Sequence, residues 1–357
     1  MSAPTAMGTG RRLRVEAIVS GRLVASSRFR VLQHVDPLHG LGIDVDVHPP
    51  RLPKYVSLPP SVHRHPRLVP AARGALKAVK VATRVPSAAR SWRADVTWLE
   101  RELLPGHLTL ERVLHRPLLF DVDDAIWRLP GHERPVREIA ARSACVLAGN
   151  DFLADWFSSV ATEVERVWTA VDTERFTPGP PVEPFTVGWT GSASTLRYLE
   201  RLAEPLARFL DAAPEARLVV MADMAPTLAG IPGDRLDFVR WSPEVEASSL
   251  RRFSVGVMPL PDTDWGRGKC AFKMLQYLAC GVPALVSPVG MGRDIVEAHD
   301  VGLVATSDDD WVEALLALRA DRDRAADLGR RGRELAEASF SLRVIAAQLA
   351  DCMRRHG

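Results

Sequence analysis

Two lysines four residues apart, Lys269 and Lys273, open the segment "KCAFKMLQYLACGVPALVSPVG", which ends at Gly290. A helix start presents free N–H groups and favours negative charge, so cations there ask for an anion from outside the chain. With Arg267 just ahead, they can neutralise a diphosphate that the helix start also attracts. Gln276 follows within the same segment, where its amide could meet a sugar hydroxyl, and Gly266 and Gly268 leave the loop room for a ligand. The competing reading is a solvated basic face. A second group, in "LLFDVDDAIW", places Asp121, Asp123 and Asp124 at the end of an apolar run. Three carboxylates there repel one another unless hydrogen-bonded, paired or bound to a cation. One of them could cap the next segment, or a hard divalent cation could take them. A third group, "GWTGSAST", offers Gly191 for close approach of a phosphate and the hydroxyls of Ser192, Ser194 and Thr195. It reads equally well as an ordinary helix cap after a turn glycine. It is neither G-x-G-x-x-G nor a Walker loop, so dinucleotide binding and ATP hydrolysis are not indicated.

Short apolar runs alternating with helical patterns must position these groups. The runs are "LRVEAIV", "GIDVDVH", "ADVTWLE", "PLLFDV" and "ACVLAG" in the first half. In the second they are "FTVGWT", "ARLVVMA", "RLDFVR", "SVGVMPL", "PALVS" and "VGLVA". This alternation predicts an α/β protein with parallel sheets and helices on both faces. Eleven strands exceed what one such sheet usually holds. The stretch containing Pro178, Gly179, Pro180, Pro181 and Pro184 reads as an extended linker. The division expected is therefore residues 1–178 and 179–340 as two Rossmann-like domains facing each other across a cleft. Residues 341–357 would form a last helix that packs back on the first domain. Ligands in such sheets sit beyond the carboxyl ends of the strands. That rule selects the loops Ser20–Ser27, Asp121–Trp127, Gly191–Thr195 and Pro259–Lys273, and brings them to one cleft.

The 357 residues are 46% hydrophobic and 25% charged, the balance of a globular protein. No apolar run reaches the length of a membrane span, and the start of the chain reads as a first strand and not as a leader. The four cysteines are scattered with no C-x-x-C pair, so no metal site and no disulfide framework are expected, and a reducing cytoplasm is the default. Between Val47 and Ala94 stand ten Lys and Arg with no Asp or Glu. There "ARGALKAVKVATRV" can form a basic amphipathic helix. A solvated face, an anionic acceptor site and peripheral contact of residues 51–93 with an anionic membrane all fit. Nucleic-acid binding is not expected, since Tyr55 and Trp92 are the only aromatic residues there and no binding motif is present.

These pieces together resemble the family 4 glycosyltransferases. "AVDTERFTP" is similar to the segment that joins the two domains of those enzymes. "CAFKMLQYLACGVPALVSPVGMGRDIV" is similar to their donor-site helix, and "SSRFRVLQHVDPLHGLGIDVDV" to their first loop, helix and strand. The resemblance implies the GT-B fold and transfer, with retention of configuration, from a nucleotide-diphosphate sugar to an acceptor hydroxyl. The acceptor would be a glycan, a lipid-linked sugar or a small molecule, and no cofactor or metal would be required. It also marks departures. Gly268 and Gln276 stand where the family has the two glutamates of E-x7-E. Trp189 and Thr195 stand near its Arg and Lys, so Lys269 and Lys273 look like replacements. Asp123 falls near the family's sugar-contacting His. The resemblance thus implies Asp123, Asp124, Lys269 and Lys273 as the catalytic set. Gly191, Ser192, Thr195, Arg267, Gln276 and Gly290 would bind donor, and Arg28, Arg30 and Asp121 would face the acceptor side. A GT-B sugar-nucleotide epimerase and a degenerate GT-B scaffold are the alternatives.

Overall fold

The eleven apolar runs all form strands, and with one further short strand the described residues hold twelve, in a computed structural model that describes residues 11–357 apart from Pro53 and Tyr55. Residues 1–10, and the Tyr55 counted above, lie outside the described residues. The first sheet contains β1 (Leu13–Ile18), β2 (Ile43–His48), β3 (Val96–Glu100), β4 (Leu118–Val122), β5 (Cys145–Ala148) and β6 (Val164–Arg166). The second contains β7 (Thr186–Thr190), β8 (Arg217–Ala222), β9 (Leu236–Arg240), β10 (Val255–Met258), β11 (Ala284–Val286) and β12 (Gly302–Val304). Every strand pair is parallel. The strand β6 is absent from the sequence-based set. It is a three-residue edge strand, "VER", with no buried side chain, so it shows no apolar run to recognise.

Central strands of a sheet covered on both faces read as continuous apolar runs, and β3, β4 and β7 are buried at every residue. The strand orders are β2-β1-β3-β4-β5-β6 and β12-β11-β10-β7-β8-β9. Each order reverses direction once, between β1 and β3 in the first sheet and between β7 and β10 in the second. Crevices for ligands open at such reversals, beyond the carboxyl ends of the strands.

Three apolar clusters hold the molecule. One fills the second domain around Val187, Trp189, Leu206 and Leu218. Another spans both domains, from Phe120 and Phe157 to Met274 and Tyr277. The third lies under the first sheet, where Ile345, Leu349 and Met353 of the last helix (Leu342–His356) pack on Val15, Trp98 and Leu119. Each large apolar side chain so buried contributes about 1.5–3 kcal/mol. The helix Phe272–Ala279 stops at Gly281, whose φ of +69° is the left-handed conformation that ends helices. Among the described residues no helix is long and apolar enough to cross a membrane.

Candidate functional site

Loops following β1, β3, β4, β7 and β10 meet in an interdomain cavity of about 230 Å³. Its charged lining is Arg101, Asp123 and Asp124 from the first domain and Lys269 and Lys273 from the second. Phe29 packs on Phe272 across the domain boundary, ring centroids 3.9 Å apart and planes tilted by 36°, and both rings line the cavity.

Lys273 is the second residue of the helix Phe272–Ala279, so its side chain leaves the first turn toward the cavity. Its Nζ lies 3.2 Å from Thr195 Oγ1 and 4.2 Å from the centroid of the Trp189 ring. Among the described residues no carboxylate pairs with it. Burial, and then the charge of Lys269, pull its pKa down to about 7. Gly191 makes this packing possible: a Cβ there would stand 2.2 Å from the Trp189 ring and 2.6 Å from the ammonium. Lys269 lies three residues before the helix. It donates to Asp124 Oδ1 at 2.8 Å and sits 4.7 Å from the Trp265 ring centroid.

The repulsion expected among the carboxylates is resolved by a residue that sequence reasoning missed. Arg101 donates through Nε to Asp123 Oδ1 at 2.7 Å and through Nη2 to Asp124 Oδ2 at 2.5 Å. Its φ is +54°, an uncommon conformation for a residue with a Cβ. Burial raises the pKa of Asp123, helped by the charge of Asp124. Burial also opposes ionisation of Asp124, but Lys269 and Arg101 outweigh it and hold that carboxyl low. Because both carboxylates already have organic cations at hydrogen-bond distance, the divalent-cation reading finds no support there. The signal that could have found Arg101 is topological, since it directly follows β3 at the strand-order reversal.

Several expected site residues lie elsewhere. Arg30 and Asp121 do not face an acceptor: they form a buried ion pair at 2.7 Å in the first domain. Arg30 also bonds the Val167 carbonyl and Thr169, while Trp98 donates to Asp121. Arg28 crosses to the second domain, lying 5.0 Å from the Trp241 ring centroid and 3.5 Å from Glu246. The amide of Gln276 is buried and donates to Glu246 Oε1 at 3.1 Å, so it does not line the cavity. Arg267 points away and pairs with Asp262 at 2.7 Å. Gly290 packs against the backbone of Arg267, where a Cβ would stand 3.0 Å from its carbonyl oxygen.

The amides after β7 are also committed. Gly191 N–H donates to the Met221 carbonyl, and Ser192 N–H to Thr195 Oγ1 within a capping box. Thr195 therefore caps its helix and receives the Lys273 ammonium. Nor do Gly266 and Gly268 leave empty room. A Cβ on Gly268 would stand 2.6 Å from the Ala125 Cβ, so a domain contact fills the space where the resembling family carries its first glutamate.

A family model described as glycosyl transferases group 1 matches residues 184–321. Over 82 residues the chain is 37% identical to the GDP-mannose-dependent alpha-(1-6)-phosphatidylinositol monomannoside mannosyltransferase of Mycobacterium tuberculosis. That stretch is 22% of this chain and 21% of that protein's length. The structure is similar to sucrose-phosphate synthase from Thermosynechococcus elongatus, with a TM-score of 0.68 at 16% identity over 96% of this chain and 99% of that one. It is also similar to HepE of Anabaena, solved with UDP-glucose, with a TM-score of 0.68 at 13% identity over 96% and 100%. At these identities the likeness concerns the fold, two facing α/β domains in the GT-B arrangement.

Proposed function

We propose that the chain transfers a sugar, with retention, from a nucleotide-diphosphate donor to an acceptor hydroxyl, a reading supported by the match of residues 184–321 to the group 1 glycosyl transferase model and by the GT-B fold. One observation carries the reading. Two lysines of the second domain converge on an interdomain cavity, and one of them has no carboxylate partner among the described residues. As the glycosidic bond breaks, negative charge grows on the leaving diphosphate. Lys273, with Lys269, stabilises that charge inside the interdomain cavity, where fixed cations act on it more strongly than in bulk water. Arg101 holds Asp123 and Asp124 at the opposite wall, where a carboxylate can orient the sugar or the acceptor hydroxyl. The Phe29–Phe272 pair lines the cavity with apolar surface, which disfavours water at the reacting carbon. Calorimetric titration with GDP and UDP, then with their glucose and mannose esters, tests the reading. Binding of at least one nucleotide with micromolar affinity, abolished in Lys273→Ala, is expected. If none of the six binds, the donor assignment fails.

The same reading places the acceptor at an anionic lipid surface. The helix Val69–Ala82 has no buried residue, and Leu68, Val79, Val85 and Trp92 are exposed among the cations of the basic segment. Apolar side chains with flanking cations suit the boundary of an anionic bilayer. Not all the segment's cations are available to it. Lys80 bonds the carbonyls of Lys54 and Val56, and Arg84 that of Val19. Co-sedimentation with phosphatidylglycerol vesicles is expected, with strong weakening in the Arg73→Glu, Lys77→Glu double variant. Equal sedimentation with neutral phosphatidylcholine vesicles would refute the electrostatic contact.

A further inference from the structure

The cysteines that the sequence scatters are partly reunited by the fold. Cys145 opens β5, and Cys352 lies on the last helix one turn before His356. Residues four apart on a helix share one face. The Sγ atoms of Cys145 and Cys352 and a ring nitrogen of His356 all lie within 4.8 Å of one another. A second group of the same spread joins Cys145 to Glu163 and Glu165, beside and on the neighbouring strand β6. Glu163 Oε1 is 3.4 Å from His356 Nε2, and that nitrogen is buried without a hydrogen-bond partner. The two carboxylates are unequally occupied. Glu165 receives Gln348 Nε2 and the Arg355 guanidinium, whereas Arg355 approaches Glu163 only to 3.9 Å.

We propose that Cys145, Cys352, His356 and Glu163 form a structural zinc site that pins the last helix to the first domain. Two thiolates, an imidazole and a carboxylate make a ligand set that zinc accepts in tetrahedral geometry. With Zn–S of about 2.3 Å and Zn–N or Zn–O of about 2.0–2.2 Å, tetrahedral ligand atoms stand roughly 3.4–3.8 Å apart. Within each triad the ligand atoms lie within 4.8 Å of one another, and drawing Cys145, Cys352, His356 and Glu163 together to tetrahedral spacing takes side-chain shifts on the order of 1 Å or more. Binding releases two thiol protons to solvent, and the dication then balances the two thiolates, while Arg355 stays with Glu165 and faces Glu163 at 3.9 Å. Glu165, held by Gln348 and Arg355, stands beside the site as a neighbour and not as a ligand. All four positions come from protein, so this is a closed site with no place for substrate. The ligand set lies outside the donor cavity, and its failure would leave the transferase reading intact.

The test uses the full chain, purified under reducing conditions from zinc-supplemented cells. Elemental mass spectrometry is expected to find one zinc per chain, against almost none in Cys352→Ser and in His356→Gln. The second variant matters because its side chain lies at the end of the helix and is partly exposed, so the fold tolerates this change better than loss of the buried Cys352 thiol. Cobalt(II) in place of zinc should give thiolate charge-transfer absorption, and chelation should lower Tm while nucleotide binding at low temperature persists. Wild-type chain with no zinc and no cobalt absorption overturns the proposal. So does a Cys145–Cys352 disulfide found by peptide mapping of the zinc-free protein.

Discussion

Lys273→Ala is expected to lower kcat/KM for the donor by about 10²–10³-fold, the usual consequence of removing one preorganised group that meets developing negative charge. The variant should still fold, because the ammonium it removes is itself poorly accommodated. Its pKa is pulled down to about 7, from an ordinary lysine value near 10.5, so keeping the proton costs stability. The sign follows from linkage. Between about 7 and 10.5 the unfolded chain binds the proton more fully than the folded chain does. Stability therefore rises with pH across that window, and the cost is complete below it. Donor affinity moves the other way, since the diphosphate needs the ammonium. Donor KM should be level below pH 7 and climb above it by up to tenfold per unit, and Lys273→Ala should flatten the profile. Steady-state kinetics from pH 6 to 9, with circular dichroism as a check on folding, decide the matter. A steep wild-type rise that persists in Lys273→Ala would assign the titration to another group.

Arg30→Ala is expected to destabilise the chain by about 3–5 kcal/mol, the range for breaking a buried pair from one side. Asp121 would be left in the core with only Trp98 donating to it. Burial already raises that carboxyl to about 6 against the opposing pull of Arg30, so its natural response to losing the guanidinium is protonation. That response limits the loss to the lower part of the range. Urea denaturation should show a lower midpoint with an unchanged m-value. A residue serving the acceptor would instead leave the midpoint in place and raise acceptor KM. That pattern would return Arg30 to the role the sequence suggested.

Which parts were legible in the sequence follows from how far each signal reaches along the chain. Central strands such as β3, β4 and β7 declare themselves because a doubly covered parallel strand is a continuous apolar run. The edge strands β2 and β9 still carry enough apolar residues to read, and the three-residue β6 does not. Lys269 and Lys273 are visible as cations at a helix start, a local pattern. Arg101 is not, because its meaning lies in Asp123 and Asp124, which come 22 and 23 residues later. Arg28 and Arg30 look equivalent in "SSRFR", yet the fold sends one across the cleft to Glu246 and the other into the core. Gln276 shows the converse error: a position carried over from relatives kept its place in the helix while Glu246, from another element, took its hydrogen bond. The spacing rule for cysteines is likewise blind to the nearness of Cys145 and Cys352, which only the fold brings together.

The last helix has a consequence for the order of events on the ribosome. Val15, Trp98 and Leu119 belong to strands made early, but Ile345, Leu349 and Met353, which cover them, are made last. At about 5–20 residues per second, the interval between the end of β6 and the arrival of that helix is roughly 10–40 s. Throughout it, the underside of the first sheet lacks the part of its cover that Ile345, Leu349 and Met353 supply, while Val31 and Leu38 are already present. Biogenesis of this molecule is therefore not domain by domain. The first domain is begun before the second and completed only after it, and a nascent-chain chaperone would meet the uncovered part of its underside in the meantime.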